Sequence, residues 1–256
     1  MTSPSFTALA LPGIPLIQPG DDIPAIIQAS LQKAKITLQS GDVLVISSKI
    51  ISKYENQIVQ LDTVQPRLEA YQLADETGKD PRIVELILQE SQDISRKARG
   101  VLVTVHRLGF TSANAGIDQS NVESGDSQVL LLPRNPDKSA QDIREVLERV
   151  SGVQLAIVVS DTHGRPFRMG NVGVAIGVSG VQALVDLRGE TDLYGRVLQS
   201  SSQGYADLLA SAAHLLCGEA GEGYPVILLR GLQLPDDDDR AKATDLYRLP
   251  EHDLYR

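Results

Sequence analysis

A single cysteine, Cys217, leaves this 256-residue chain unable to close an internal disulfide or to build a zinc centre from thiolates, so nothing in it calls for an oxidising compartment. Basic residues are in the minority. The chain has 24 Lys and Arg against 33 Asp and Glu, a formal net charge of −9, which argues against a protein that grips nucleic acid through a basic footprint. No apolar run approaches the roughly 20 residues that a bilayer-crossing helix needs. The N-terminal stretch has no basic residue before Lys33 and is broken by Pro4, Pro12, Pro15 and Pro19, a poor match to a secretory signal. Also missing are the Lys-Ser/Thr ending of a P-loop, the spacing of a dinucleotide fingerprint, a His-x-x-x-His pair and a Gly-x-Ser-x-Gly elbow. These absences disfavour two common nucleotide folds, zinc hydrolysis and acyl-enzyme chemistry. What is present, 42% apolar and 22% charged residues, specifies one large or two small globular units. The expectation is a cytoplasmic protein with a small-molecule partner, bound to neither membrane nor nucleic acid.

Apolar runs of strand type alternate with runs of helical period, which predicts a mixed α/β architecture. Asp22, Ile23 and Pro24 read as a cap and first turn, and Ile26, Ile27 and Leu31 follow at helical spacing until Gly41. A β-rich run over 42–47 ends in polar Ser47, Ser48 and Lys49, the way a buried strand delivers functional groups at its carboxyl end. Residues 81–97 repeat the helical logic behind Pro81. Strands are expected over 100–105 and 128–133, separated by a long aperiodic loop over 110–126. A helix over 139–150, a strand over 154–160, a tightly packed strand over 170–180 and its continuation over 183–187 come next. A small-residue helix over 206–216 and a strand over 225–229 complete the pattern. Residues 1–235 read as one catalytic unit, with any internal boundary near 126–140, and 236–256 as a polar, solvated tail.

Three segments concentrate oxygen donors beside glycines. In the long loop, Asp118 can ligate a hard divalent cation and Asn121 can hydrogen-bond a base or a phosphate, although an Asx-type turn would use the same residues. Directly after the 154–160 strand, Asp161 and Thr162 offer a carboxylate and a hydroxyl to a cation on nucleotide phosphates, and Arg165 and Arg168 offer forked donors to phosphate or carboxylate. His163 is the histidine nearest this chemistry, whereas His106 and His214 read as structural. The third segment, Cys217, Gly218, Glu219, Ala220, Gly221, Glu222, Gly223 and Tyr224, joins a helix to a strand; its glycines permit close approach and Glu219 is an oxygen donor. Leu11, Pro12, Gly13 and Ile14, with Ser48, Lys49 and Lys53, form a fourth group whose lysines could neutralise phosphate. From the residues alone the chemistry is phosphates held by hard cations, with no substrate named.

The ordered motifs resemble those of the coenzyme F420-0:gamma-glutamyl ligase family over nearly the whole chain. The matching segments are Leu11 to Ile14, Ser52 and Lys53, Ala113 to Val122, Ser160 to Arg168 and Gly218 to Pro225. The resemblance implies GTP-dependent attachment of L-glutamate to the terminal carboxylate of a deazaflavin coenzyme precursor, with release of GDP and phosphate, followed by a second, γ-linked glutamate. It places guanine nucleotide against Leu11, Pro12, Gly13, Ile14, Ser48, Lys49, Lys53, Asn121 and the segment from Cys217 to Tyr224. One divalent cation, Mg²⁺ or Mn²⁺, would lie on Asp118 and Asp161 and a second on Thr162 and Glu219; a monovalent cation is also compatible. It further implies a homodimer with a mixed α/β fold peculiar to the family, built of two intimately packed parts. Two positions depart from the family pattern: Leu108 stands before Gly109 and Phe110 where many relatives have His, and Glu219 stands where Gln is common. A related amide ligase acting on another carboxylate, and a guanine-nucleotide binder without turnover, are the competing readings.

Overall fold

The computed structural model describes residues 3–119, 127–235 and 240–253. Strand β1 (Thr7–Ala10) leads to α1 (Ile23–Ala34), β2 (Asp42–Ser47) and α2 (Ser48–Tyr54). After β3 (Ile58–Gln60), helices α3 (Leu68–Thr77) and α4 (Pro81–Gln89) precede a meander of β4 (Ser91–Ala98), β5 (Val101–His106) and β6 (Thr111–Ala113). Next come β7 (Gln128–Leu130), α5 (Pro136–Ser151), the long strands β8 (Leu155–Arg165) and β9 (Arg168–Ser179), the short β10 (Leu184–Asp186) and β11 (Ser202–Gly204), α6 (Tyr205–Cys217) and β12 (Val226–Arg230). The mixed α/β expectation holds.

The helix starts follow local chemistry. Asp22 accepts a hydrogen bond from the Ala25 N–H, Asp80 from Arg82 and Asn135 from Lys138, each ahead of a Pro in the first helical turn that supplies no N–H needing a partner. Gly152, at φ +74°, ends α5 in the left-handed conformation that glycine adopts most readily.

The central sheet has the order β1-β12-β2-β8-β9, with β2 and β8 parallel and the other neighbours antiparallel. Pleating sends alternate residues to opposite faces. Leu44, Ile46, Ile157 and Val159 pack with Ile27 and Leu31 of α1 and Ile143 and Leu147 of α5. Val43, Val45, Ala156 and Val158 pack with Leu209, Ala210 and Ala213 of α6. A smaller core joins Leu102 of β5 to Leu73, Ala74, Val84 and Ile87 on α3 and α4. Among the described residues, no helix is long and apolar enough to cross a membrane.

Strand β9 is tightly covered, as its small residues suggest. A Cβ on Gly177 would lie 2.4 Å from the Pro136 carbonyl carbon of α5, and one on Gly173 would lie 2.5 Å from the Ala210 oxygen of α6. Because backbone cannot yield as a side-chain tip can, Gly177→Ala is expected to cost about 2–3 kcal/mol through overpacking. Urea unfolding checks this; an unchanged midpoint would refute the tight contact.

Four expectations need correction. The helix predicted over 81–97 stops at Gln89, and Ser91–Ala98 forms an edge strand against β5 with two register shifts. The single apolar residue Ile94 mimicked helical spacing, but it packs from β4 onto the α3–α4 core. The 110–126 loop contains β6 and a 3₁₀ turn at Asn114–Gly116, because β5 offers β6 a free edge. Residues near 183–187 do not extend the main sheet: β10 pairs with β11 as a separate two-stranded ribbon. Finally, the C-terminal stretch is not uniformly solvated. Ala243 is buried, its N–H donates to Asp137, and Tyr247 packs on the main core through Phe110.

Candidate functional site

Parallel β2 and β8 run side by side as far as Ser47, which stands opposite Ser160. Beyond that pair β2 turns directly into α2 at Ser48, while β8 runs on into the hairpin and presents Asp161. The buried Ser48 hydroxyl donates to Asp161 Oδ1 at 3.2 Å, and His163 Nε2 lies 3.1 Å from Asp161 Oδ2. The next residue of α2, Lys49, forms an ion pair with Asp118 Oδ2. Asp118 is fixed by two backbone bonds to Leu130, its N–H donating at 3.0 Å and its carbonyl accepting at 2.8 Å. Consecutive residues at one helix start therefore gather two acids that lie far apart in the chain.

Strand alternation sorts the remaining donors. Asp161 and His163 leave β8 on one face; Thr162 leaves on the other and pairs with Gly173, whose open side is covered by Ala210 and His214 of α6. His214 Nε2 stands 3.0 Å from Glu219 Oε1 just past the end of α6. Thr162 and Glu219 thus belong to the α6 side, and Asp118 and Asp161 to the α2 side. Among the described residues no three His, Cys, Asp or Glu side chains converge as a ready metal cage. The acids sit instead beside a lysine or a histidine.

Two loops border the same strand ends. Leu11 donates its N–H to Val226 at 2.9 Å, and Ser47 donates to Pro225 at 2.8 Å, so the ends of β1 and β2 flank the entry to β12. The Ser30 hydroxyl holds the Pro12 carbonyl at 2.7 Å. Gly13, at φ +74°, passes so close to Lys33 that a Cβ there would stand 2.7 Å from its Nζ. Gly218 is as constrained, since a Cβ there would strike the Glu222 carboxyl carbon at 2.2 Å. Ala220 donates its N–H to Glu222 at 2.8 Å, and Gly221, Gly223 and Tyr224 lie exposed beyond it. Burial pushes the Cys217 thiol up, the carboxylates of Glu222 and Glu219 push it further, and the Lys49 ammonium opposes them. Lys53 lies one turn after Lys49 on the same face of α2. Ile14 packs against the main core.

Not every predicted residue joins this group. Arg165 and Arg168 oppose each other near the tip of the β8–β9 hairpin, about 13 Å or more along the strand from Asp161. Arg165 donates through Nη2 to the Met169 carbonyl at 3.1 Å, while its Nε is buried without a hydrogen bond. Asn121 lies outside the described residues.

One feature escaped the sequence. Phe110 stacks on His106 with ring centroids 5.0 Å apart and planes 4° apart, contacts His163 at 5.0 Å and meets Tyr247 edge-on at 5.9 Å. The imidazole beside Asp161 is thus braced by an aromatic column. Its members come from separate parts of the chain, and no spacing pattern links them. Burial pushes the Tyr247 phenol up, helped by the carboxylates of Asp137 and Asp207, which keeps it a neutral packing group.

Residues 13–231 match the family described as F420-0:Gamma-glutamyl ligase. The chain belongs to that family. Among curated relatives, the coenzyme F420:L-glutamate ligase of Methanopyrus kandleri is 44% identical over 94% of this chain and 93% of its own. That of Methanothermobacter thermautotrophicus is 43% identical over 98% of this chain and 99% of its own. That of Methanocaldococcus jannaschii is 43% identical over 87% and 88%. Membership in the gamma-glutamyl ligase family makes the gathered strand ends a candidate active site for amide-bond synthesis.

Proposed function

We propose that this ligase-family chain attaches L-glutamate to the terminal carboxylate of the coenzyme F420 precursor at the expense of GTP, through an acyl phosphate, and then adds a second glutamate by its γ-carboxyl. The observation that supports this most directly is the start of α2, where Ser48 and Lys49 bring Asp161 and Asp118 to one place. A carboxylate is a poor electrophile, so activation by phosphoryl transfer must precede attack by the glutamate amine, and such transfer needs positioning and charge stabilisation more than a nucleophilic side chain. Oxygen donors alone make up the proposed ligand set, Asp118 with Asp161 and Thr162 with Glu219, a chemistry suited to Mg²⁺ or Mn²⁺. When bound, such cations neutralise phosphate oxygens and polarise the transferring group.

The chain's own residues do the rest. Lys49 and Lys53 carry positive charge along one face of α2 towards the phosphates, against the overall charge of −9. The glycines from Gly218 to Gly223 allow the backbone near the nucleotide. Leu11, Pro12, Gly13 and Ile14 follow the end of β1, across the entry to β12 from Ser47. Ser48 and His163 hold the two oxygens of Asp161, fixing its orientation. The working assembly in this proposal is a homodimer.

Incubating the purified protein with GTP, Mg²⁺ or Mn²⁺, L-glutamate and the precursor is expected to release phosphate and raise the precursor mass by one or two glutamyl units. Phosphate release only with a different carboxylate would move the assignment to another amide ligase. GTP binding without modification of any acceptor would reduce it to a nucleotide-binding protein.

A further inference from the structure

We infer that Phe110 and Tyr247 are positioning residues for the reaction: they hold the His163 imidazole against Asp161, which makes the C-terminal segment carrying Tyr247 a working part of the site. This rests on the reading above that Asp161 serves phosphoryl transfer. Tyr247 lies beyond residue 231, where the match to the ligase family ends.

The need for a brace follows from how Asp161 is held. Its Oδ1 accepts from the Ser48 hydroxyl, and its Oδ2 faces His163 Nε2 at 3.1 Å. Ser48 is buried at the start of α2 and has little freedom to move. The imidazole is held less firmly by its own bonding, because among the described residues the ring makes a single hydrogen bond, the one to Asp161. Such a ring can change rotamer unless packing stops it. Phe110, itself buried, supplies that packing with its centroid 5.0 Å from the imidazole.

Phe110 is in turn fixed from two sides. On one it lies flat on His106, whose fully buried ring accepts at Nδ1 from the Leu108 N–H at 3.0 Å and stands with Nε2 3.4 Å from Glu90 Oε2. Glu90 is held by Nε of Arg107 at 2.8 Å. On the other side Tyr247 meets Phe110 edge-on, a favoured arrangement of aromatic pairs. Tyr247 reaches this place because its segment is tied to the core. The Ala243 N–H donates to Asp137 at 3.1 Å, and the Asp245 carboxylate accepts from the Lys242 N–H at 3.0 Å, closing a 3₁₀ turn over Ala243–Leu246. Gly109, at φ +102°, makes room for the ring, since a Cβ there would stand 3.1 Å from Tyr247 Cδ2. Two anchored rings therefore converge through Phe110 on the imidazole that touches Asp161.

The test reads the imidazole directly, by carbon–proton NMR of protein labelled at its four histidines, with the His163 signal assigned from a His163→Ala spectrum. Phosphate release is measured against Mn²⁺ concentration on the same variants, well below their melting temperatures. Phe110→Leu and Tyr247→Leu are each expected to shift or broaden the His163 signal and to raise the Mn²⁺ concentration for half-maximal activity about tenfold, with the KM for GTP and glutamate within about twofold of wild type. Tyr247→Phe should keep the wild-type signal and Mn²⁺ dependence, because the contact is made by the ring. In a His163→Ala background, Phe110→Leu should change the Mn²⁺ dependence no further, since its effect passes through the imidazole. An unmoved His163 signal in both leucine variants would overturn the inference. So would a lowered melting temperature with wild-type Mn²⁺ dependence, which would reduce the column to packing. The broader reading fails separately: a wild-type protein that releases no phosphate, with the His163 signal still shifting in the leucine variants, would overturn the assigned reaction and leave the brace standing.

Discussion

Replacing Asp161 with asparagine is expected to lower cation-dependent phosphate release by about 100-fold or more, with a melting temperature close to wild type. The substitution preserves shape and most hydrogen bonding: the amide oxygen can still accept from Ser48, and the amide nitrogen can face His163. What it removes is the negative charge. If Asp161 shares a divalent cation with Asp118, that loss weakens cation binding directly, and raising Mn²⁺ should recover part of the activity. Phosphate release read against Mn²⁺ concentration, with a thermal melt on the same sample, separates the two effects. Wild-type turnover in this variant would remove Asp161 from the ligand set, and a collapsed melt would make it a structural acid.

The largest loss of stability is expected from Arg230→Met, at the opposite end of β2. Asp42, 1% exposed, takes Nε of Arg230 on one oxygen at 2.8 Å and Nη2 on the other at 2.6 Å. Nη2 also donates to the Thr37 carbonyl at 2.8 Å, and the Gln39 N–H supports the carboxylate at 2.8 Å. The same pairing holds the guanidinium above its usual range. Methionine replaces the arginine stem but leaves a buried carboxylate with one backbone donor, an arrangement that costs about 3–5 kcal/mol. For a chain of this size that lowers the melting temperature by roughly 10 °C. A compensating Asp42→Leu in the same chain should recover much of the loss, since apolar replacement of both partners avoids the orphaned charge. Turnover at a permissive temperature should stay near wild type, because Ser47 and Ser48 stand at the far end of the strand. A midpoint unchanged by Arg230→Met would show that the clasp contributes little.

Much of the fold could be read from the chain because its central strands are buried on both faces. Residues 43–46, 155–159 and 225–229 are unbroken apolar runs, and α1 and α4 announce themselves by Asp followed closely by Pro. The edge elements were harder. Ile94 alone could not distinguish a helix from a bulged strand, and β6 is too short to show any period. The site divided along the same line. Acids and glycines within a single motif were legible, but Ser48 with Asp161 and Lys49 with Asp118 are partners only because β2 and β8 lie side by side, a relation fixed by topology and not by spacing. The aromatic column around Phe110 was illegible for the same reason. The place of His214 beside Glu219 was missed because a histidine in an apolar helix reads as packing, although its position three residues before the helix end was a usable hint.

The position of β12 between β1 and β2 constrains how the molecule can be made. Thr7 finds its strand partner at Arg230, and β2 gains its second neighbour from the same late segment. On the ribosome, the nascent chain must therefore carry an uncapped apolar strand edge until nearly all of this sequence has emerged, with pairing delayed by the closure of a very long loop. During that interval the edge is a template for association with other chains. Slow refolding from denaturant is the expected counterpart of that strand order.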